Sequence, residues 1–360
     1  MKYIENIKMQ MDANTSAKTV SPKIEGVDFT SPSRAFNQGE VDIFYEISNK
    51  NILPSNLIDI NRLITQSIMN QLNDDYTNQR KTIVNKKNKN SANGLSLFSP
   101  VIDRNLEFDS TNLFTLLNLQ LVSNLKVISI PDFHSKIGQF KEIQKISNEH
   151  ISDYPEGEPY ILPHLVSNSK DFKDKLAHII DIGHRAFSLD IWGYSTSLGN
   201  LNYLQDYIRK SGHNLWIHSC NLERYLQSTN VSVPHVLTFF GVDTYSKRLF
   251  DIRSLWDADK GEFKEIKNEP ESIRFFHEDS LGVIPKTQLP MEFIDKLDKM
   301  GMFEGGGKLQ SKKSKLYEMI EGQTEFETCT ERIKKSEFRE YASEKECLRN
   351  TIQNLRLLES

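Results

Sequence analysis

Six runs of apolar residues in this chain, at 95–103, 127–132, 160–164, 187–190, 215–218 and 239–246, each end in or carry a chemically capable side chain. The polar residues in question are Asp103, Asp132, His164, Asp190, His218 and Asp243. Aspartate can attack an electrophilic carbon or take a proton, and histidine can pass one near neutral pH. Two carboxylates whose surroundings push their pKa values apart give an acid and a base in one site. Taken singly, each of these aspartates suits a helix N-cap or a loop anchor equally well. Taken as a series, they point to a site assembled from distant parts of the chain.

Such a series needs elements that bring strand ends together. Short buried strands are expected at 95–102, 126–130, 160–165, 185–191, 214–218 and 235–242, with helices at 110–123, 137–149, 170–182, 198–211 and 221–228. A strand at 41–47 followed by a helix at 56–73, which places Leu57, Ile60, Leu63, Ile64, Ile68 and Leu72 on one stripe, supplies a further unit. Repeats of roughly 25–35 residues suit successive βα units, and the expected fold is α/β, a (β/α)8 TIM-type barrel. Its functional rim lies at the carboxyl ends of the strands. Residues 1–40 read as a polar, flexible lead-in and 41–265 as the barrel. Within it, 80–93 reads as an exposed Lys- and Asn-rich loop. Residues 266–360 read as a helical C-terminal region packing on the barrel.

The chain has 360 residues, 38% of them hydrophobic, enough to bury a core of barrel size. A net charge of −4 gives no global attraction to polyanions, so nucleic-acid binding would rest on local patches. The lysines at 81, 86, 87 and 89 and at 308, 312, 313 and 315 offer two, with ordinary solvated surface as the plainer reading. Cys220, Cys329 and Cys347 are too few and too scattered for a disulfide framework or a closed zinc site, which suits a reducing, cytoplasmic setting. No signal peptide or membrane span is expected. A metal held by His164, His218 and one aspartate is an alternative, although no strand end carries a His-x-His pair. The segment 301–308 fails as a phosphate loop, because Met302 stands where glycine is required and Leu309 where Ser or Thr is required. Gly193 opens Gly193-Tyr194-Ser195-Thr196-Ser197, whose backbone N–H groups suit an anion, as at many strand-to-helix junctions.

The segment Phe239-Phe240-Gly241-Val242-Asp243-Thr244-Tyr245-Ser246 resembles the G-V-D-x-F-D-S segment of the tRNA-guanine transglycosylases. The similarity is to the archaeal enzymes and to their relatives that insert deazaguanine bases into DNA. Segments 185–193 (RAFSLDIWG), 214–220 (NLWIHSC), 100–103 (PVID) and 120–132 are similar in order to the family's barrel strands. The resemblance covers about 95–260. It implies a barrel that replaces guanine in tRNA or DNA with a 7-deazaguanine-type base. One aspartate attacks the glycosidic carbon and a second handles protons and the base, with no cofactor.

Ser246 stands at the family's nucleophile position, so the role passes to Asp243 or Asp251, with Asp132 as the second carboxylate. Asp103, His164, Asp190, Gly193, His218 and Ser246 are then substrate-binding candidates. The family's second aspartate lies in an S-D-S-G segment, whose Ser and Gly are absent around Asp132, and its cysteine-rich zinc ligands are missing here. The alternative function is a non-catalytic barrel, binding nucleic acid or dimerising with an active paralogue or another copy of itself. A metal-dependent barrel hydrolase is a further alternative.

Overall fold

The computed structural model describes residues 2–5, 7–75, 77–155, 158–191, 193–248, 256–257, 262–263 and 270–354. The chain begins with an antiparallel pair, β1 (Ile7–Met11) and β2 (Lys18–Pro22). Next come two short strands separated by Ala35, β3 (Ser33–Arg34) and β4 (Phe36–Asn37), and helix α1 (Gln38–Ile47). Strand β5 (Leu57–Ile64) leads to α2 (Gln66–Asp74) and α3 (Thr77–Lys87). Strand and helix then alternate: β6 (Leu95–Ile102), α4 (Ser110–Leu121), β7 (Val127–Ile130), α5 (Ile137–Ser152), β8 (Tyr160–Val166), α6 (Phe172–Asp181), β9 (Ala186–Asp190) and α7 (Tyr194–Ser211). Strand β10 (Trp216–Leu222), the short α8 (Val233–Leu237) and β11 (Thr244–Lys247) follow. The remainder holds the two-residue strands β12 (Trp256–Asp257) and β13 (Glu262–Phe263), the hairpin β14 (Arg274–His277) and β15 (Gly282–Pro285), α9 (Met291–Lys299), the long α10 (Gly307–Lys334), α11 (Phe338–Glu344) and α12 (Glu346–Asn354).

This is a mixed α/β fold around parallel strands. One sheet has the order β3-β11-β10-β9-β8-β7 and a second the order β4-β5-β6, every pairing in both being parallel. Because β3 and β4 flank a single residue, the two sheets are joined through residues 33–37. Side chains alternate between faces along a strand. One face carries Leu57, Leu95, Val127, Leu162, Ala186 and Trp216, which pack with Ile4, Ile7, Val20 and Phe29 of the N-terminal segment. Neighbours such as Ile58, Phe98, Ile128, Phe187 and Ile217 point the other way, toward the helices.

Five expected elements take a different form. The helix expected over 221–228 is replaced by the end of β10, which runs to Leu222, and by a turn closed by a Tyr225–Ser232 bridge. The other four each differ for a visible reason. Residues 41–47 are helical because Asn37 accepts from the Glu40 backbone N–H while the Glu40 side chain accepts from Asn37, a capping box that opens α1. Residues 57–64 form a strand, although Leu57, Ile60 and Ile64 also fall at the spacing of a helical stripe. The Lys- and Asn-rich stretch is helical over Thr77–Lys87 with only Ile83 buried. Tertiary bonds hold it, from Arg80 Nε to the Val122 carbonyl at 3.0 Å and from Lys87 Nζ to the Asn124 carbonyl at 2.7 Å. Residues 233–240 are helix and 3-10 turn, with Pro234 in the first turn, and β11 starts only at Thr244. Gly241 makes the turn between them at φ +74°, where a Cβ would meet Ile208 Cδ1 at 2.6 Å and the Ser16 carbonyl at 3.2 Å.

The expectation of a loose lead-in over 1–40 is likewise overturned. Lys18 in β2 is fully buried, forms an ion pair with Asp243 and donates to the Leu215 carbonyl at 2.7 Å. Removing one partner of a buried pair leaves the other charge uncompensated, which costs about 3–5 kcal/mol. Asp243→Asn is therefore expected to lower unfolding free energy by about that amount in urea titrations, with Lys18→Met in the same chain restoring part of it. A loss below about 1 kcal/mol would show that Lys18 is solvated.

Candidate active site

The strand face that carries the apolar layer turns polar one step toward the carboxyl ends of the strands. Two residues beyond Leu57, Val127, Leu162, Ala186 and Trp216 come Asp59, Ser129, His164, Ser188 and His218, all buried. Ser99 and Thr244 join this layer from β6 and β11. His164, Ser188, His218 and Thr244 lie in register across β8, β9, β10 and β11.

Asp59 is the acidic member. Its Oδ2 lies 3.2 Å from His218 Nε2, and His218 Nδ1 lies 3.0 Å from Thr244 Oγ1, which also accepts from Trp216 Nε1 at 3.1 Å. A carboxylate only accepts, so His218 donates to Asp59 from Nε2. Trp216, Thr244, His218 and Asp59 thus form one continuous hydrogen-bonded chain that ends on the carboxylate. Burial by itself would raise the Asp59 pKa, but the hydrogen bond and charge of His218 outweigh it and hold the carboxyl below its ordinary value. Asn61 Nδ2, one step further along β5, donates to Ser246 Oγ at 2.7 Å and sits 3.5 Å from Asp59 Oδ2.

Beside this chain of donors is a group of polar atoms without partners. Asp59 Oδ1, Ser99 Oγ, Ser129 Oγ and both ring nitrogens of His164 are buried and make no hydrogen bond among the described residues. They come from four consecutive strands, β5 to β8. Leaving a buried polar group unpaired costs about 1–3 kcal/mol, so five such atoms approach the roughly 5–15 kcal/mol that holds a whole domain together. A layer of this kind is built to be satisfied by a bound polar species. His164 is neutral, since burial pushes it down to about 3 despite the Asp59 charge nearby, with His218 adding to the shift.

The residues singled out in the sequence separate into three groups. His164, His218 and Ser246 belong to the polar layer. Asp132 and Asp190 lie at the carboxyl ends of strands and are engaged: Asp132 Oδ2 pairs with Lys175 at 2.7 Å while Oδ1 accepts from Ser135, and Asp190 accepts from Asn221 Nδ2 at 2.9 Å. Asn221 in turn accepts from Arg248 Nε at 2.8 Å. Asp103, just past β6, accepts from the Asn105 backbone at 3.0 Å, and Gly193 caps α7 at φ +93°. Asp243 stands at the amino end of β11, the end opposite to that rim. There it accepts from the Ile217 N–H at 2.7 Å, from Ser31 at 3.2 Å and from Lys18, while burial lifts its carboxyl to about 6 in spite of Lys18. Asp251 lies outside the described residues.

Asp59, Ser99 and Ser129 escape sequence reasoning because Asp59 falls within the helix expected over 56–73 and the serines carry no charge. The signal was present as Asp59 and Asn61 at i and i+2 inside an otherwise apolar run, a spacing that puts both on one face of a strand. Among the described residues no group of three or more His, Cys, Asp and Glu side chains is placed to hold a metal ion, His164 and His218 included. Among them also, no helix is long and apolar enough to cross a membrane. The lysine clusters are largely engaged: Lys86 and Lys89 pair with Asp42, Lys312 with Glu46, and Lys313 donates to the Gly301 carbonyl at 2.6 Å. Compared with models of known protein families and with curated proteins, the chain matches none.

The neutral histidines set an acid limb of stability. His164 and the buried His235 of α8 are both pushed down to about 3, mainly by burial, whereas in the unfolded chain they take up a proton near the ordinary value of 6.5. Between those values the unfolded chain binds more protons, so stability falls as pH drops, by about 1.4 kcal/mol per pH unit per group. His164→Gln is expected to flatten the limb between pH 6 and pH 4, read from urea midpoints in that window. An unchanged slope would contradict a neutral, buried His164.

Proposed function

We propose that the chain is a divergent base-exchange enzyme of the tRNA-guanine transglycosylase type, built on a (β/α)8 barrel, with Asp59 as its carboxylate. Support for the barrel comes from strand order. Counting residues 33–37 as one strand, parallel neighbours run from β7 through β11 to β3 and β4, then on to β6, giving eight strands in sequence order. The long α10 lies over β3 and over Tyr245 of β11, where a barrel's last helix would pack, held there by the Lys247–Glu318 and Arg34–Glu318 pairs. The apolar and polar layers are then successive layers of the barrel interior.

The observation that carries the functional reading is the closeness of Ser246 and Asp59. The family's nucleophilic carboxylate belongs at the position of Ser246, and Asn61 Nδ2 links that hydroxyl, at 2.7 Å, to the Asp59 carboxylate of strand β5, at 3.5 Å. The charged group is thus retained at the same place from another strand. In the proposed reaction the Asp59 carboxylate attacks the glycosidic carbon, forming an acylal ester as the carbon–nitrogen bond to guanine breaks. The departing base keeps the bonding pair and takes a proton from a neighbouring donor. The incoming base then attacks the same carbon, loses a proton and releases Asp59. His164 and the two free serine hydroxyls supply hydrogen-bonding partners for a polar ring.

A second reading is favoured by one specific finding. Asp132 and Asp243, the carboxylates expected to react, are locked to Lys175 and Lys18 in fully buried pairs. A barrel whose reactive groups have become braces would bind nucleic acid or a paralogue without turnover. Incorporation of labelled guanine or 7-deazaguanine into tRNA and duplex DNA separates the two. Wild-type incorporation that falls more than about 1000-fold in Asp59→Asn, with the melting temperature retained, supports the enzyme. Absence of wild-type incorporation into either polymer would leave the non-catalytic barrel.

A further inference from the structure

On the outer side of the strands, away from the polar layer, α10 covers a small cavity lined by Arg34, Lys247, Glu318, His235, Phe276 and Phe326. It has room for about one water-sized species. Its charges do not cancel. Arg34, Lys247 and Arg224 face Glu318 and Glu40, leaving one cation in excess among five charged side chains.

Two polar atoms in the wall have no partner among the described residues, and one of them is a fixed donor. Arg34 directs one guanidinium nitrogen to the Glu318 carbonyl at 3.1 Å and another to Glu40, but its Nε–H has no partner, and the residue is 4% exposed. His235 Nδ1 lies 3.0 Å from Ser232 Oγ, and its Nε2 has no partner at 2% exposure. When Ser232 donates to Nδ1, Nε2 carries the proton and becomes a second donor toward the cavity. Lys247 uses one ammonium hydrogen on Glu318 and keeps others. The His235 ring cannot swing away to find another partner, because it is stacked on Phe326 at 4.4 Å and on Phe276 at 5.7 Å between ring centres.

We propose that this cavity is a binding site for a small monovalent anion of the halide class, held by Arg34, His235 and Lys247. The Glu318 carboxylate in the wall is already shared by Lys247, Arg34 and Arg224, and the positive charge left in excess favours an anion over water. An anion would also return Lys247, lowered to about 7 mainly by burial and by Arg34, toward its ordinary value. The bound ion would clamp α10 to the strand residues Arg34 and Lys247. The site is independent of the reading of Asp59, since it lies on the opposite face of the strands.

The test is thermal unfolding of the full chain in sodium chloride against sodium gluconate at equal ionic strength, together with anomalous diffraction from bromide-soaked crystals. With chloride at about ten times its dissociation constant the melting temperature should be roughly 2–3 °C higher than in gluconate. Bromide should appear between Arg34, His235 and Lys247. His235→Phe, which keeps the ring stack and removes the Nε2 donor, should abolish the difference between the salts. Equal melting temperatures in the two salts, or a water with no bromide signal at that position, would overturn the proposal whether or not the variant folds.

Discussion

The two-residue period of the parallel strands is the constraint from which the rest of the molecule follows. It sends Leu57, Val127, Leu162 and Trp216 to one layer and, one step later, Asp59, Ser129, His164 and His218 to the next, all on the same face. The apolar layer sits toward the amino ends and is covered by the N-terminal strands. The polar layer follows toward the carboxyl ends, the side on which parallel α/β sheets present their ligand sites. A one-residue slip in any strand would exchange its contribution with an outward side chain such as Ile58 or Ile217, placing an aliphatic group among the donors. Register and chemistry are therefore fixed together.

Within that layer, orientation comes from direction in the hydrogen-bond chain. Trp216 can only donate and ionised Asp59 can only accept, so Thr244 and His218 between them have little freedom in how they share their protons. The indole of the apolar layer is thus tied through Thr244 to a histidine in the polar layer. The same economy appears at the two buried lysines. Lys18 and Lys175 each neutralise an aspartate near a strand end, one at the amino side and one at the carboxyl side, and neither leaves its partner available for chemistry.

Much of the strand and helix alternation from Leu95 onward was legible, because those strands are bounded by turns and separated by amphipathic helices. Residues 57–64 were not, because Leu57, Ile60 and Ile64 continue at helical spacing into Ile68 and Leu72. Residues 233–240 were not, because their β-branched and aromatic side chains suit a strand while Pro234 and Gly241 decide for a helix. His164, His218 and Ser246 could be picked out as chemical candidates from sequence. Asp243 could be picked out as well, but not its end of the strand, which depends on a turn at Gly241 whose necessity comes from Ile208 and Ser16, far away in the chain. Asp59 shows the reverse case, a residue placed by a strand that the sequence disguised.

The Lys18–Asp243 pair joins positions 225 residues apart, the second of them in the stretch that leads into β11. During synthesis from the amino end, β1 and β2 are made first, yet the charge that belongs beneath them has no counter-ion until residue 243 has left the ribosome. An unpaired ammonium resists burial, so the N-terminal hairpin stays in water while the intervening strands assemble. Seating of the hairpin is then a late event, available only to a chain in which the turn at Gly241 has already delivered Asp243. A segment translated long before its counter-ion thus locks only after it.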